Sequence, residues 1–94
     1  MIQRFCFVKL LDDEVGTRRE LAQMLRAQLE GAGCDVVVGV PADHTAARWD
    51  ISIVITAASL EAWHTISMRP AMTGVFDELS VRSAVLKAWT FEAA

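Results

Sequence analysis

The sequence lacks an excess of basic residues. Nine Lys and Arg stand against twelve Asp and Glu, which gives a net charge of −3. A nucleic-acid footprint needs Lys and Arg clustered on one face to neutralise phosphates, and Arg18 and Arg19 are the chain's only adjacent basic pair. The balance of charge therefore predicts that nucleic acid is not a partner.

Long apolar runs are missing as well. No stretch reaches the ~20 residues that a membrane-spanning helix requires. The first residues, MIQRFCFVKL, have neither the charged start nor the small-residue cleavage site of a signal peptide. We expect a cytoplasmic protein with no membrane partner.

Cysteine and histidine are scarce, with two residues of each. Cys6 and Cys34 lie far apart, and the chain has neither a C-x-x-C motif nor the Cys and His spacing of a zinc site. These cysteines are typical of free buried thiols in a reducing compartment. We expect no metal and no cofactor.

Apolar residues are abundant, at 53% of the 94 residues. This length suits one domain, 1–94, because two separate cores would not fit. A domain of this size buries only roughly 60 to 65% of its unfolded surface. The surplus of apolar side chains therefore predicts that a subunit interface buries part of them.

The apolar periodicity predicts an α+β ferredoxin-like sandwich in the order βαββαβ, with an antiparallel four-stranded sheet. The predicted elements are strand 2–11, helix 17–31, strand 34–40, strand 49–56, a helical segment 59–79 that Pro70 interrupts, and strand 83–92.

Local signals refine these elements. Thr17 with Glu20 has the spacing of a capping box for the first helix, and Ser59 suits the N-cap of the second. The third strand is expected to place Trp49 on the helix-facing side with its isoleucines. Two apolar stripes are expected to face the sheet: Leu21, Met24, Leu25 and Leu29 in the first helix, and Leu60, Trp63 and Ile66 or Ser67 in the second.

The two faces of the predicted sheet differ in character. Alternation along the first strand puts Arg4, Cys6 and Val8 on the face that meets the helices. The opposite face carries aromatic and apolar side chains that a monomer would leave exposed. We therefore expect a homodimer packed sheet to sheet, through Phe5, Phe7, Val54, Val85, Lys87, Trp89 and Phe91.

Four segments, MIQRFCFVKL, WDISIVITAASLEA, RPAMTGVF and VLKAWTFE, occur in an order and spacing that resemble the stress-responsive dimeric α/β-barrel (Dabb) family. The resemblance covers nearly the whole chain. It implies a ferredoxin-like subunit whose sheet forms a dimeric α/β barrel with that of a second copy. The family includes plant stress proteins without established catalysis and a polyketide cyclase that works without a cofactor.

The chain departs from this family at the positions that carry chemistry. Family members commonly have a histidine where this chain has Arg4, and an HPxH-like motif where it has Arg69, Pro70, Ala71 and Met72. In the cyclase the second histidine of that motif is a base paired with a tyrosine, and those positions here are Met72 and Ile66. The chain has no tyrosine, and a thioether cannot take a proton at neutral pH. The cyclase mechanism is therefore not transferred.

Each candidate has a functional and a structural interpretation. Arg4 either binds an anion or reaches solvent or a local carboxylate, and Arg69 either holds a carboxylate or caps a helix end. Cys6 is a nucleophile only with a neighbouring base or a lowered pKa and is otherwise a buried structural thiol. His64 is expected at the surface or rim. The predicted pocket residues are Arg4, Cys6, Trp63, Arg69, Met72 and Phe76.

Three functions remain open from the sequence. The first is a small homodimer that binds an apolar or anionic small molecule between its helices and sheet. The second is a cofactor-free enzyme, such as a cyclase, decarboxylase or monooxygenase, which requires His64, Cys6 or a carboxylate to point into the pocket. The third is a structural stress protein in which Trp63, Met72 and Phe76 fill the space.

Overall fold

The computed structural model describes residues 1–46 and 48–94, and it has the predicted ferredoxin-like α+β fold. One antiparallel sheet has the strand order β2-β3-β1-β4, and the helices pack on one face of it. The elements are β1 (Ile2–Leu10), α1 (Arg18–Gly31), β2 (Asp35–Gly39), β3 (Ile51–Ala57), α2 (Leu60–Ser67), α3 (Pro70–Val81) and β4 (Ser83–Glu92). Two 3-10 helices, Asp12–Thr17 and His44–Ala46, lie in the connections.

The core lies between the sheet and the helices. Alternate residues of β1 and β3 point into it, as the period of two requires. All three isoleucines of β3 are almost fully buried, and they meet apolar side chains of α1 and α3. The central members of this core are Val8, Leu10, Leu25, Leu29, Ile51, Ile53, Ile55, Met72 and Leu79.

The start of α1 differs from the prediction. The acidic stretch forms a 3-10 helix, so the Thr17 hydroxyl donates to the Glu14 carbonyl (2.9 Å) and makes no cap. The predicted capping box with Glu20 is therefore wrong. The stripe is also displaced: Ala22 is buried with Leu21, whereas Met24 is 38% exposed because it lies beside the face formed by residues 21, 22, 25 and 29.

The segment from α2 to α3 begins as predicted. The Ser59 hydroxyl oxygen accepts a hydrogen bond from the Ala62 amide (3.1 Å). Pro70 is at the start of α3, where a missing amide hydrogen costs nothing. The inward face of α2 begins one turn later than expected, because Trp63 is buried and Leu60 is 49% exposed.

The position of Trp49 also differs from the prediction. It precedes β3, which begins at Ile51, so the alternation of the strand does not set its direction. Its ring packs against Phe7 on the outer face of the sheet, at a centroid separation of 5.8 Å.

Asp50 is the one buried charged residue among those that the structure describes. Its carboxylate accepts from the Leu10 amide (2.8 Å) and from the Arg18 guanidinium (3.3 Å). Its own amide donates to the Val8 carbonyl (2.7 Å). Asp50 therefore supplies hydrogen bonds at the end of β1, beside the irregular pairing with β4 at Lys9 and Leu10.

Within 1–46 and 48–94, no helix has the length and apolar character needed to cross a membrane.

We predict that Asp50→Ala lowers the free energy of unfolding by about 2 to 3 kcal/mol, because the buried Leu10 amide loses its acceptor. Arg18→Ala is the control and is expected to cost less than about 1 kcal/mol, since the Arg18 side chain is 42% exposed. Urea denaturation measures both. Equal losses in the two variants would show that the ion pair, and not the amide hydrogen bond, is the stabilising contact.

Candidate functional site

A cavity of about 300 Å³ lies between the helix-facing side of β1 and β4 and the helices α2 and α3. Its lining is mostly apolar. The sheet and the two helices each contribute walls, so the cavity exists only where the three meet. The lining residues are Arg4, Cys6, Trp63, Ser67, Met72, Thr73, Phe76, Asp77, Leu86 and Ala88.

Arg4 supplies the positive charge of this cavity. Its alternation with Cys6 puts it on the helix-facing side of β1, opposite Thr90 of β4. One guanidinium nitrogen donates to the Thr90 hydroxyl (2.9 Å), and the guanidinium carbon lies 5.7 Å from the centroid of the Trp63 ring. In the part of the chain that the structure describes, no carboxylate lies within 4.0 Å of it. The charge is positioned by a hydroxyl and an aromatic face and is not neutralised.

Cys6 lies next to Arg4 in the cavity wall and is 3% exposed. Burial raises the pKa of its thiol, because a thiolate is poorly stabilised away from water; the nearby Arg4 only partly offsets this. The side chain is therefore a protonated thiol at neutral pH. It lacks the lowered pKa that a nucleophilic cysteine needs.

The α3 wall presents one face of the helix. Met72 and Phe76 are one turn apart, and Thr73 and Asp77 stand next to them with the same spacing. Met72 also contacts the core: its sulfur accepts a hydrogen bond from the buried Cys34 thiol, at a sulfur–sulfur distance of 3.3 Å. Met72 and Phe76 thus line the cavity without filling it.

Arg69 does not reach this cavity. Its guanidinium donates to the Ala32 carbonyl (2.7 Å), just after α1 ends at Gly31. It also lies beside Gly33, whose φ of +88° is the left-handed conformation that glycine tolerates best. The structural interpretation of Arg69, a cation near helix-end carbonyls, is the one that matches this contact.

The structure thus brings five of the six predicted pocket residues together and leaves Arg69 apart. His64 is exposed and does not line the cavity. The prediction missed Thr73 and Asp77, although the helical period from Met72 and Phe76 gives them. Leu86 and Ala88 were also absent from the predicted pocket residues, and Ser67 was given only as an alternative to Ile66 on the inward face of the second helix. Ala88 pairs with Cys6 and Leu86 with Val8 across β1 and β4, a register that sequence alone did not provide.

The outer face of the sheet carries the residues predicted to form a dimer interface. Strand register aligns one apolar row across all four strands, made of Val37, Val54, Phe5 and Trp89. The exposed fractions are high, at 69% for Val37 and 46% for Trp89. Phe7, Val85, Lys87 and Phe91 lie on the same face.

Aromatic contacts tie this outer face together. Phe5 meets Phe91 edge to face at 5.7 Å between ring centroids, and Phe7 lies 6.0 Å from Trp89. Val37 and Trp49 are additional members that the sequence analysis did not assign to the face.

No group of three or more His, Cys, Asp or Glu side chains that could hold a metal ion occurs within the described ranges 1–46 and 48–94.

No protein-family model and no curated protein matches the sequence. Solved structures do match it over nearly its whole length. A hydroxynitrile lyase from Passiflora edulis has a TM-score of 0.82 at 9% identity, covering 99% of this chain and 93% of the lyase. A dimeric ferredoxin-like protein of unknown function from Bacteroides fragilis has a TM-score of 0.76 at 13% identity, covering 98% and 95%.

A putative antibiotic biosynthesis monooxygenase from Deinococcus radiodurans is similar as well, with a TM-score of 0.74 at 20% identity, covering 100% of this chain and 93% of the monooxygenase. The TM-scores show that the fold is shared, whereas identities this low do not indicate a shared function. The chain has the fold of dimeric ferredoxin-like proteins and of antibiotic biosynthesis monooxygenases.

We predict that Cys6 makes stability fall as the pH rises above about 8.5, the usual pKa of a free cysteine. The stability from this group is fully present below that value. Above it the unfolded thiol loses its proton while the buried thiol keeps it, so unfolding releases a proton and the free energy of unfolding falls as the pH rises. Melting temperatures between about pH 7.5 and 10 are the measurement. Cys6→Ala is expected to show a shallower decrease than the wild type.

Cys34→Ala is the matched comparison, since burial also raises the pKa of Cys34, with the nearby Arg69 lowering it only in part. The chain has no tyrosine to titrate in this range. Identical slopes for the wild type, both single variants and the double variant would contradict protonated thiols in the folded state.

Proposed function

We propose that this chain is a single-domain, Dabb-type protein that forms a homodimer and binds a small, mainly apolar acid in the cavity beside Arg4. The observation that carries the binding proposal is the Arg4 guanidinium, which is partly buried in an apolar cavity and has no carboxylate within 4.0 Å among the described residues. The Dabb resemblance adds a cytoplasmic, stress-responsive role to this proposal.

A ligand carboxylate suits this site for a physical reason. Removing a guanidinium from water is costly unless an anion or hydrogen-bond acceptors compensate for the lost hydration. The hydroxyl of Thr90 accepts from one nitrogen, which leaves further N–H groups for a carboxylate. The volume of about 300 Å³ is at the lower end of the ~300 to 1,000 Å³ typical of ligand sites. A small aromatic or aliphatic acid therefore fits both the charge and the size.

The homodimer is supported by the outer face of the sheet. A stable interface buries about 800 Å² on each partner and is enriched in aromatic residues. The outer face offers an aromatic cluster that is exposed in a single subunit, with Trp89 at 46% and Phe91 at 57%. The similar proteins from Bacteroides fragilis and Thermobifida fusca are described as dimeric. Sheet-to-sheet packing covers this cluster in the Dabb arrangement.

We rank binding above cofactor-free catalysis because of the groups that reach the cavity. The similar lyase and monooxygenases are enzymes by name, but their low identity carries no activity to this chain. Cys6 and Asp77 both line the cavity, but among the described residues no histidine accompanies them and Asp77 is the one carboxylate in the wall. The raised pKa of the Cys6 thiol disfavours a thiolate. A structural protein with a filled core is disfavoured because Trp63, Met72 and Phe76 surround open space.

We predict that 3-phenylpropionate raises the melting temperature of the wild type and that Arg4→Gln abolishes the shift. At 100 times its dissociation constant a ligand stabilises a folded protein by about 2.7 kcal/mol. Arg69→Gln is the matched control and keeps the shift, because its guanidinium is bound to the Ala32 carbonyl away from the cavity. A shift that survives Arg4→Gln, or its absence in the wild type, would refute the acid-binding site.

We predict that Trp89→Glu converts a dimer to a monomer, since a carboxylate within an aromatic interface is desolvated without a partner. Val81→Glu is the control: Val81 is an apolar residue of α3 with 77% exposure, and it lies on the helix side of the molecule. Light scattering at micromolar concentration should return twice the chain mass for the wild type and for Val81→Glu. A monomeric wild type would contradict the proposed dimer.

A further inference from the structure

We infer that the cavity selects a small molecule that carries an anionic group, a cationic or hydroxyl donor group and an apolar body. This inference rests on the proposed acid-binding function and specifies its ligand class. The observation behind it is a separation of charge: the Arg4 guanidinium lies on the sheet side of the cavity and the Asp77 carboxylate lies on the helix side.

On the sheet side, the polar group is the Arg4 guanidinium. A guanidinium has N–H donors and no acceptor. The Thr90 hydroxyl already accepts one of them (2.9 Å), which holds the group in place. The other residues of this side that line the cavity are Cys6, Leu86 and Ala88, so a ligand group bound here must accept hydrogen bonds.

On the helix side, two hydroxyl groups have lost their donor capacity. The Ser67 hydroxyl donates to the His64 carbonyl (2.8 Å), and the Thr73 hydroxyl donates to the Arg69 carbonyl (3.0 Å). Each has one hydrogen, so only oxygen lone pairs remain for a ligand.

Asp77 strengthens this acceptor character with a negative charge. It lines the cavity one turn after Thr73, on the same face of α3. It forms no ion pair with Arg4, since their charged atoms are more than 4.0 Å apart. The Asp77 carboxylate, together with the Ser67 and Thr73 hydroxyls, therefore favours a donor group of the ligand on this side, where the Trp63 indole N–H is the other polar group.

Apolar side chains make up much of the remaining cavity wall. The Trp63 ring, Met72 and Phe76 line the same cavity as Arg4 and Asp77. A molecule with a carboxylate, an ammonium group and an apolar body matches these three parts of the cavity wall. The charges also set its direction, because a carboxylate next to Asp77 is repelled and one next to Arg4 is attracted. An amino acid with an apolar side chain is the simplest member of this class.

The test compares two probes that share one aromatic body, phenylalanine and 3-phenylpropionate. Isothermal titration of the full chain near pH 7 is expected to give phenylalanine about threefold to tenfold tighter binding than 3-phenylpropionate, the gain of one charge-assisted hydrogen bond at a partly exposed site. Asp77→Asn is expected to reduce phenylalanine to the affinity of 3-phenylpropionate, which itself binds this variant at least as well as the wild type.

Glu78→Gln is the matched control. It removes the same charge one residue further along α3 from a side chain that does not line the cavity, so the preference for phenylalanine is expected to persist. The inference is overturned if the wild type binds phenylalanine and 3-phenylpropionate equally well, or if Asp77→Asn keeps the preference for phenylalanine. Either result leaves the proposed acid binding intact. If neither acid binds the wild type, the proposed function and this inference both fail.

Discussion

The alternation of side chains along β1 is the constraint on which the rest of the structure depends. β1 pairs with both β3 and β4, so each of its faces sets the character of the sheet around it. Its inward residues Arg4 and Cys6 form one wall of the cavity, and its outward residues Phe5 and Phe7 hold the aromatic cluster. A shift of one residue in register would bury the phenylalanines among the helices and turn Arg4 outward, and would remove both features together.

The helix side of the cavity depends on the break between α2 and α3. Pro70 starts α3 after a short break from α2, so two helix segments with independent directions border one space. Cys34 fixes Met72 from the core, and Arg69 ties the break to the end of α1. The hydroxyls of Ser67 and Thr73 bond to carbonyls of the preceding turn, which gives the wall its acceptor character.

The features that sequence predicted correctly depend on local chemistry or on a regular period. They include the two faces of β1, the Ser59 cap and the restart at Pro70. The errors arose where a long-range contact decided the outcome. Arg69 was expected at the mouth of the pocket, but the Ala32 carbonyl, distant in sequence, holds its guanidinium. Trp49 was assigned by extending the strand period past the strand's first residue.

The central claim is that the cavity beside Arg4 receives the acidic end of a small molecule. A crystal structure of the protein grown with 3-phenylpropionate tests it most directly. The account predicts the carboxylate within hydrogen-bond distance of the Arg4 guanidinium and the ring against Trp63 and Phe76, inside the cavity of about 300 Å³. A cavity closed by its own side chains, or a ligand bound elsewhere while Arg4 stays on Thr90 alone, would contradict it.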